Sequence, residues 1–345
     1  MLQPVNYLNR LAYKSLRPNS PTLRSRGISL VSTECHYEKD SIMRLTKSFV
    51  IIFLIMFTQT LEAGLLTAYV VPSARGIDLS SPRGLALSTA RNYRSNAIQP
   101  YGHGMFHLKC SIVDGDALEY DELSGINLVN LNDANNLVLR HGYGLGSLFA
   151  VLAGQLDTRE RTTYVLRSYM NAGAAAFIQY KVNSTTCSRL VQFIREFRER
   201  GVDTRYGLTA RPRYGEGTDC TALLAALLEV AGLQDATIDA IWRRTVRVPA
   251  NLIGGPLTGN YIPPRRFIMR PFLTRSWASP NQAHFVAQLY ITDNLISHIL
   301  NRWNQGLSPL ASQELQATMA YIENTKGFII DARSVPTPDE PFWFD

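Results

Sequence analysis

Residues Tyr214 to Gly232 read YGEGTDCTALLAALLEVAG. Gly215 and Gly217 space a loop, Thr218 and Asp219 are N-cap residue types, and an Ala/Leu run follows as far as Gly232. Asp or Thr ahead of an apolar run starts a helix, and Gly just past its last residue ends one. The stretch therefore predicts a helix with Cys220 in its first turn, where unpaired backbone N–H groups and the helix dipole favour a thiolate. Leu223, Leu224, Leu227, Leu228 and Ala231 recur at helical spacing, so the helix is expected to be buried and to hold the sulfur rigidly. The same residues also describe an inert cysteine on a core helix, since free Cys is among the most buried residue types. A base brought up from elsewhere in the chain separates the two readings.

Far upstream, Met43 opens a segment with Arg44 and Lys47, an apolar run from Phe49 to Phe57, and Thr58 to Ala63 ahead of Gly64. The run is shorter than the ~20 residues that span a bilayer as a helix, and it matches the core of a secretory signal. We read residues 43–63 as a signal peptide cleaved after Ala63, and the product as periplasmic or secreted with no stable membrane insertion. No Cys follows the apolar run, which argues against a bacterial lipoprotein anchor. Residues 1–42 are Ser, Asn, Pro and Arg rich without an apolar period, which reads as disordered or untranslated sequence, with Met43 as the start.

Residues 1–63 hold eight basic and four acidic side chains of the chain's 35 and 28, leaving 27 against 24 and a net charge of +3. That balance does not point to nucleic acid. Cys110, Cys187 and Cys220 remain beyond the signal, an odd number in an oxidising compartment. A Cys110–Cys187 pair would leave Cys220 free. Both of those residues also fit apolar faces, and two buried thiols is the preferred reading.

The chain from residue 64 reads as an α+β domain over 64–272, followed by a helical C-terminal extension and extended tail over 273–345. Gly102 to Val113 alternates, with Phe106, Leu108, Cys110 and Ile112 on one face and His103, Met105, His107 and Lys109 on the other, as in a half-buried strand. Leu118 to Leu131 and Leu137 to Leu139 extend the sheet, and Thr162 to Met170 and Ala174 to Val182 read as two further strands. Ser184 caps a helix faced by Cys187, Leu190, Val191, Ile194 and Phe197 and ended by Gly201. Ala236 to Thr245, Pro280 to Trp303 and Glu314 to Asn324 read as helical. Pro249 to Pro271 is a Gly/Pro-rich loop of the kind that walls a binding site. The tail, ending in Phe342, Trp343 and Phe344, is expected to pack across the surface.

A catalytic thiolate needs an imidazole within hydrogen-bond reach and a polar group to orient it. The candidates beyond the signal are His103, His107, His141, His284 and His298. The last two lie among apolar neighbours in stretches read as helical and are set aside. His103 and His107 share a strand face about 13 Å apart at about 3.3 Å per residue, so at most one serves a given sulfur or metal ion. His103, next to Gly102 at the strand start, is the better placed.

A histidine on an early strand (YGHGMFHLKC, Tyr101 to Cys110) and a late cysteine at a helix start (YGEGTDCTALLAALLEVAGL, Tyr214 to Leu233) resemble circularly permuted members of the NlpC/P60 papain-like thiol hydrolase superfamily. The resemblance covers roughly Pro100 to Leu233. It implies a papain-like antiparallel sheet packed on the cysteine helix and acyl transfer at an amide, thioester or ester, as in a cysteine peptidase or amidase. Cys220 would attack, His103 would carry the proton, and helix N–H groups would stabilise the oxyanion. The family's second polar residue has no clear match; Glu119, Asp121 and His141 are the candidates, and His141 is favoured as the spare imidazole. The implied partner is a peptide or acyl substrate, with peptidoglycan peptides the natural class in an envelope compartment.

No cofactor or metal is expected. Gly142-Tyr143-Gly144-Leu145-Gly146 lacks the third glycine at the spacing a dinucleotide loop requires, and no acidic residue closes a following βαβ unit; there is no CxxC or HExxH motif. The rival class is a non-catalytic envelope protein on the same scaffold, with Cys220 inert and Tyr261, Arg265 and Arg266 recognising an anionic group.

Overall fold

The computed structural model describes residues 64–111, 119–269, 274–310 and 315–345; the signal segment and residues 1–42 lie outside the described residues. The architecture is mixed α+β. Its main sheet runs in the order β10-β11-β6-β1-β2-β3, built from β1 (Gly64–Ser73), β2 (Tyr101–Cys110), β3 (Tyr120–Ser124), β6 (Ala176–Val182), β10 (Ala317–Ile322) and β11 (Thr325–Asp331). All neighbours are antiparallel except β6 and β11, which run parallel. The sheet is therefore mixed, where an antiparallel one was expected. A second sheet, β4-β5-β7, is small: β4 (Ile126–Leu128), β5 (Leu152–Leu156) and β7 (Arg205–Tyr206).

One face of the main sheet carries the principal core. Leu66, Val70, Phe106 and Leu108 pack there against α4 (Ser184–Glu199), α5 (Cys220–Val230) and α8 (Thr292–Gln305). The other face was expected to be open beside β2. It is covered at that end by α3 (Arg159–Asn171), whose Val165, Leu166 and Met170 pack on Tyr69, Val71 and Met105. Residues 162–170 look strand-like because they are rich in Thr, Tyr and Val. The helical period of Thr162, Val165, Leu166 and Met170 and the Thr158 N-cap prevail over composition.

Three further expectations give way to period-two pairing. His284–Tyr290 is strand β9, paired with β8 (Arg243–Pro249), with Ala287 and Leu289 inward and Val286 and Gln288 outward. The helix from Ala236 accordingly stops at Trp242 as α6. Ala317–Ile322 is β10, joined to β11 through Glu323 and Asn324, both at positive φ (44° and 67°), the twist a two-residue hairpin requires. The range 273–345 thus holds β9, the helix Thr292–Gln305 and the β10-β11 hairpin that completes the main sheet, and is not a wholly helical extension. Leu137 to Leu139 likewise ends a helix, α2 (Leu131–Leu139), capped by Asn130.

The ends of the chain are tied to this frame. Asp293, in the first turn of α8, accepts hydrogen bonds from Ser73 N (2.8 Å) and Ser73 Oγ (2.6 Å) at the end of β1. The tail packs as expected: Phe342 is buried against Phe193, and Trp343 stacks on the same ring and donates to Glu196 Oε2 at 2.7 Å. Arg213, itself buried, donates to Phe342 O at 3.0 Å and pairs with Glu229 at 2.8 Å.

Cys110 of β2 and Cys187 of α4 form a disulfide, which corrects the preference for two buried thiols. Their apolar faces meet because α4 lies on the sheet, and the bridge closes a separation of 77 residues. Closing so long a loop is worth about 2–4 kcal/mol. The double variant Cys110→Ala/Cys187→Ala should unfold at a clearly lower temperature by circular dichroism, and reductant should lower the wild-type midpoint without affecting the variant's.

Candidate functional site

Helix α5 is capped by Asp219, whose Oδ1 accepts from Thr221 N at 2.8 Å and Ala222 N at 2.6 Å. Thr221 Oγ1 donates to the same oxygen at 2.7 Å. The cap satisfies first-turn donors that would otherwise be orphaned and sets Cys220 as the first helical residue. Burial raises the Asp219 carboxyl, opposed by these hydrogen bonds and by the charge of His103. Cys220 is a free thiol, 8% exposed.

The helix meets β2 at Gly104. A Cβ there would stand 2.8 Å from Leu224 Cδ1 and 3.0 Å from the Cys220 carbonyl, so only glycine admits the first turn of α5 this close to the strand. His103, the preceding residue, is buried, with its ring within hydrogen-bonding reach of the Cys220 sulfur. Its Nε2 lies 3.6 Å from Asp157 Oδ2 and 3.4 Å from Asn127 Nδ2, and Asn127 Nδ2 also donates to Asp157 Oδ2. Both nitrogens aim at one carboxylate oxygen. Burial, the largest influence, pulls the imidazole down, but the charge of Cys220 and the hydrogen bonds to Asp157 and Cys220 overcome it. The outcome is a His103 raised to about 9.

Asp157 is fixed by its backbone: its N–H donates to Gly125 O (2.8 Å) and its carbonyl accepts from Ser124 Oγ (2.9 Å). It stands between the end of β5 and the Thr158 cap of α3, and Arg161 Nε approaches its Oδ1 at 3.0 Å. Tyr206 of β7 contacts the thiol from another side; burial first, then the charges of Cys220 and Asp219, hold its phenol well above the usual value. The small sheet therefore carries Asn127 on β4, Asp157 at the end of β5 and Tyr206 on β7. The main sheet brings His103, and α5 brings Cys220.

Of the residues singled out from sequence, Cys220 and His103 come together and His141 does not join them. His141 is exposed after α2, its backbone N–H bonded to Asn136 O. Asp121 pairs with His107 at 2.7 Å and Arg159 at 2.6 Å, and Glu119 is exposed. The orienting position is taken by Asp157, with Asn127 beside it. Asp157-Thr158 reads in sequence as a helix start. The usable signal was an aspartate directly after a short strand, LAGQL, which only the β4–β5 pairing turns towards the histidine.

The remaining features play other parts. Gly142 to Gly146 packs backbone to backbone on the Gly/Pro loop, with Gly254 N donating to Tyr143 O (2.8 Å) and Ile262 N to Gly142 O (2.6 Å). An open groove of about 320 Å3 lies on the α3 face of the main sheet, lined by Thr67, Tyr69, Lys109 and Arg167, and contains neither Cys220 nor His103. Among the described residues no cluster of three His, Cys, Asp or Glu could hold a metal ion, and no helix is long and apolar enough to cross a membrane. No family model, curated protein or solved structure matches the chain.

Two variants test the geometry. A Cβ at Gly125 would lie 2.8 Å from His103 Nε2, so Gly125→Ala should push the ring off Asp157. Iodoacetamide labelling of Cys220 at pH 6 should fall about tenfold in both Gly125→Ala and His103→Ala, because each disturbs the imidazole beside the sulfur. Equal rates in all three proteins would show the thiol to be indifferent to the imidazole.

Proposed function

We propose that the protein is a cysteine hydrolase of the amidase or peptidase type, working by acyl transfer on a permuted papain-like scaffold of the NlpC/P60 kind. One observation carries the reading: a helix-start cysteine lies near enough to a buried imidazole to bear on its protonation, and the ring's Nε2 is 3.6 Å from a fixed carboxylate. Cys220 is the nucleophile. With Nε2 turned to Asp157 and Asn127, Nδ1 is the nitrogen left for the sulfur, and Asp157 orients the ring. Attack on the acyl carbon forms the thioester, and His103 passes its proton to the leaving amine or alcohol. Water then attacks the thioester with His103 as base, and Cys220 leaves as the thiolate. Asp219 occupies the N–H groups of Thr221 and Ala222, so the backbone N–H of Cys220 is the donor that would stabilise the oxyanion.

The order histidine, orienting residue, cysteine along the chain supports the permuted resemblance. The Cys110–Cys187 bridge supports a periplasmic or secreted setting, since disulfides persist in oxidising compartments. Cell-wall peptides are the substrate class we propose on the strength of the resemblance. The rival reading, a binding protein with an inert Cys220, leaves the polar contacts converging on a buried histidine without a role.

The decisive experiment is hydrolysis of p-nitrophenyl acetate followed by intact-mass spectrometry. A transient acetyl group should appear on Cys220 and be absent from Cys220→Ala, with turnover lost. His103→Ala should lose about 10²- to 10⁴-fold in kcat. An unmodified cysteine with turnover equal to the alanine variant's would reject the proposal.

The pH profile gives an independent prediction. Acylation needs His103 protonated, so kcat/KM should fall as pH rises through about 9. Asp157 helps to raise that value, so Asp157→Asn should move the alkaline limb to lower pH.

A further inference from the structure

Residues 240–292 contain no Asp or Glu, yet they hold seven arginines. Of the 27 basic and 24 acidic side chains from Gly64 onwards, this stretch takes seven and none, leaving 20 against 24 elsewhere. The near-neutral total therefore hides a strong segregation of charge.

The described residues of the stretch fold as one lobe. It includes β8, the Gly/Pro loop, α7 (Arg265–Met269) and β9, around a second core of Leu145, Leu148, Val248, Leu252, Ile262 and Leu289. Helix α1 (Pro82–Tyr93) packs on α7 and adds Arg83 and Arg91. Asp78 is the single acid between Gly64 and Val113. Arg243 is paired, with Asp239 at 2.5 Å. Arg244, Arg247, Arg265 and Arg275 are exposed and, among the described residues, no carboxylate pairs with them. Apolar side chains stand out among them. Val286 is 53% exposed and sits opposite Arg247 on the outer face of the hairpin, while Leu257 (49%) and Tyr261 (62%) project from the Gly/Pro loop.

Massed like charges repel one another, and an anionic partner relieves that repulsion. Base stacking requires aromatic faces in series, and this surface offers Tyr261 with aliphatic Leu257 and Val286. Exposed cations on the same lobe as projecting apolar side chains, as Arg247 is beside Val286, suit the headgroup boundary of a bilayer, where the charges meet lipid phosphates and the apolar tips reach acyl chains.

We propose that this basic lobe docks the protein on an anionic phospholipid surface as a peripheral contact. The lobe adjoins the site: β9 ends at Tyr290, whose carbonyl accepts from Thr221 Oγ1 (3.3 Å), next to Cys220.

The test is cosedimentation with phosphatidylglycerol/phosphatidylcholine vesicles against pure phosphatidylcholine. The protein should bind the anionic vesicles in 0.1 M salt, leave them in 1 M salt, and ignore neutral ones. Arg247→Ser should lower partitioning roughly fivefold, and Arg247→Lys should retain binding. Leu257→Ser should weaken binding to the same vesicles severalfold. The proposal is overturned by absent binding, by equal binding to neutral vesicles, or by tighter binding to a DNA duplex that Leu257→Ser leaves unchanged. Cys220→Ala should bind vesicles like wild type, and the arginine variants should keep wild-type iodoacetamide labelling without vesicles, so failure here is separable from failure of the hydrolase proposal.

Discussion

The site depends on the approach of α5 to β2 at Gly104. With no Cβ in the way, the Cys220 carbonyl stands 3.0 Å from where that atom would be, and the sulfur meets a ring from the neighbouring residue of the same strand. Any larger residue at 104 would drive the helix outward, and overpacking of this sort costs about 1–3 kcal/mol. Apart from Thr221 and Glu229, α5 is apolar, and it is nearly all buried because it is gripped between the sheet, α4 and the tail. Rigidity of the helix becomes rigidity of the sulfur.

Three separate pieces of chain meet at that contact. The main sheet and α5 place the nucleophile and base candidates, while the small β4-β5-β7 sheet places what surrounds them. Asn127, Asp157 and Tyr206 are far apart in sequence, and none would face the site without the antiparallel pairing of β4 with β5 and β5 with β7. Arg161 and the start of α3 lie on the far side of Asp157, with Arg161 Nε 3.0 Å from its Oδ1.

That division explains what could be read from the residues alone. The cap, the apolar run and the terminal glycine of α5 are local signals, and the alternation of β2 is local too, so Cys220 and His103 were legible. The small sheet was not, because its strands are two to five residues long and its register is set by tertiary contacts. For the same reason His141, a spare imidazole by count, had no claim from geometry. Residues 284–290 misled because Phe285, Leu289 and Leu295 fit a helical spacing as well as an alternating one; the pairing with β8 decides between them. Composition misled once more at the level of charge, where a net +3 concealed an acid-free, arginine-rich lobe.

The buried polar cluster also bears on what kind of protein this is. His103 is only 2% exposed, and burial alone would strip its proton. It keeps the proton to about pH 9 because Cys220 and Asp157 stand against it. An inert, neutral thiol would remove the largest of those opposing influences and leave a donor-rich pocket around a ring with less reason to stay charged. A purely structural histidine is satisfied more cheaply by one backbone carbonyl, as His298 is by Pro309 O at 2.8 Å. The contrast between the two histidines is one of surroundings: one is anchored by a single neutral acceptor, the other is buried beside a sulfur, a carboxylate and an amide.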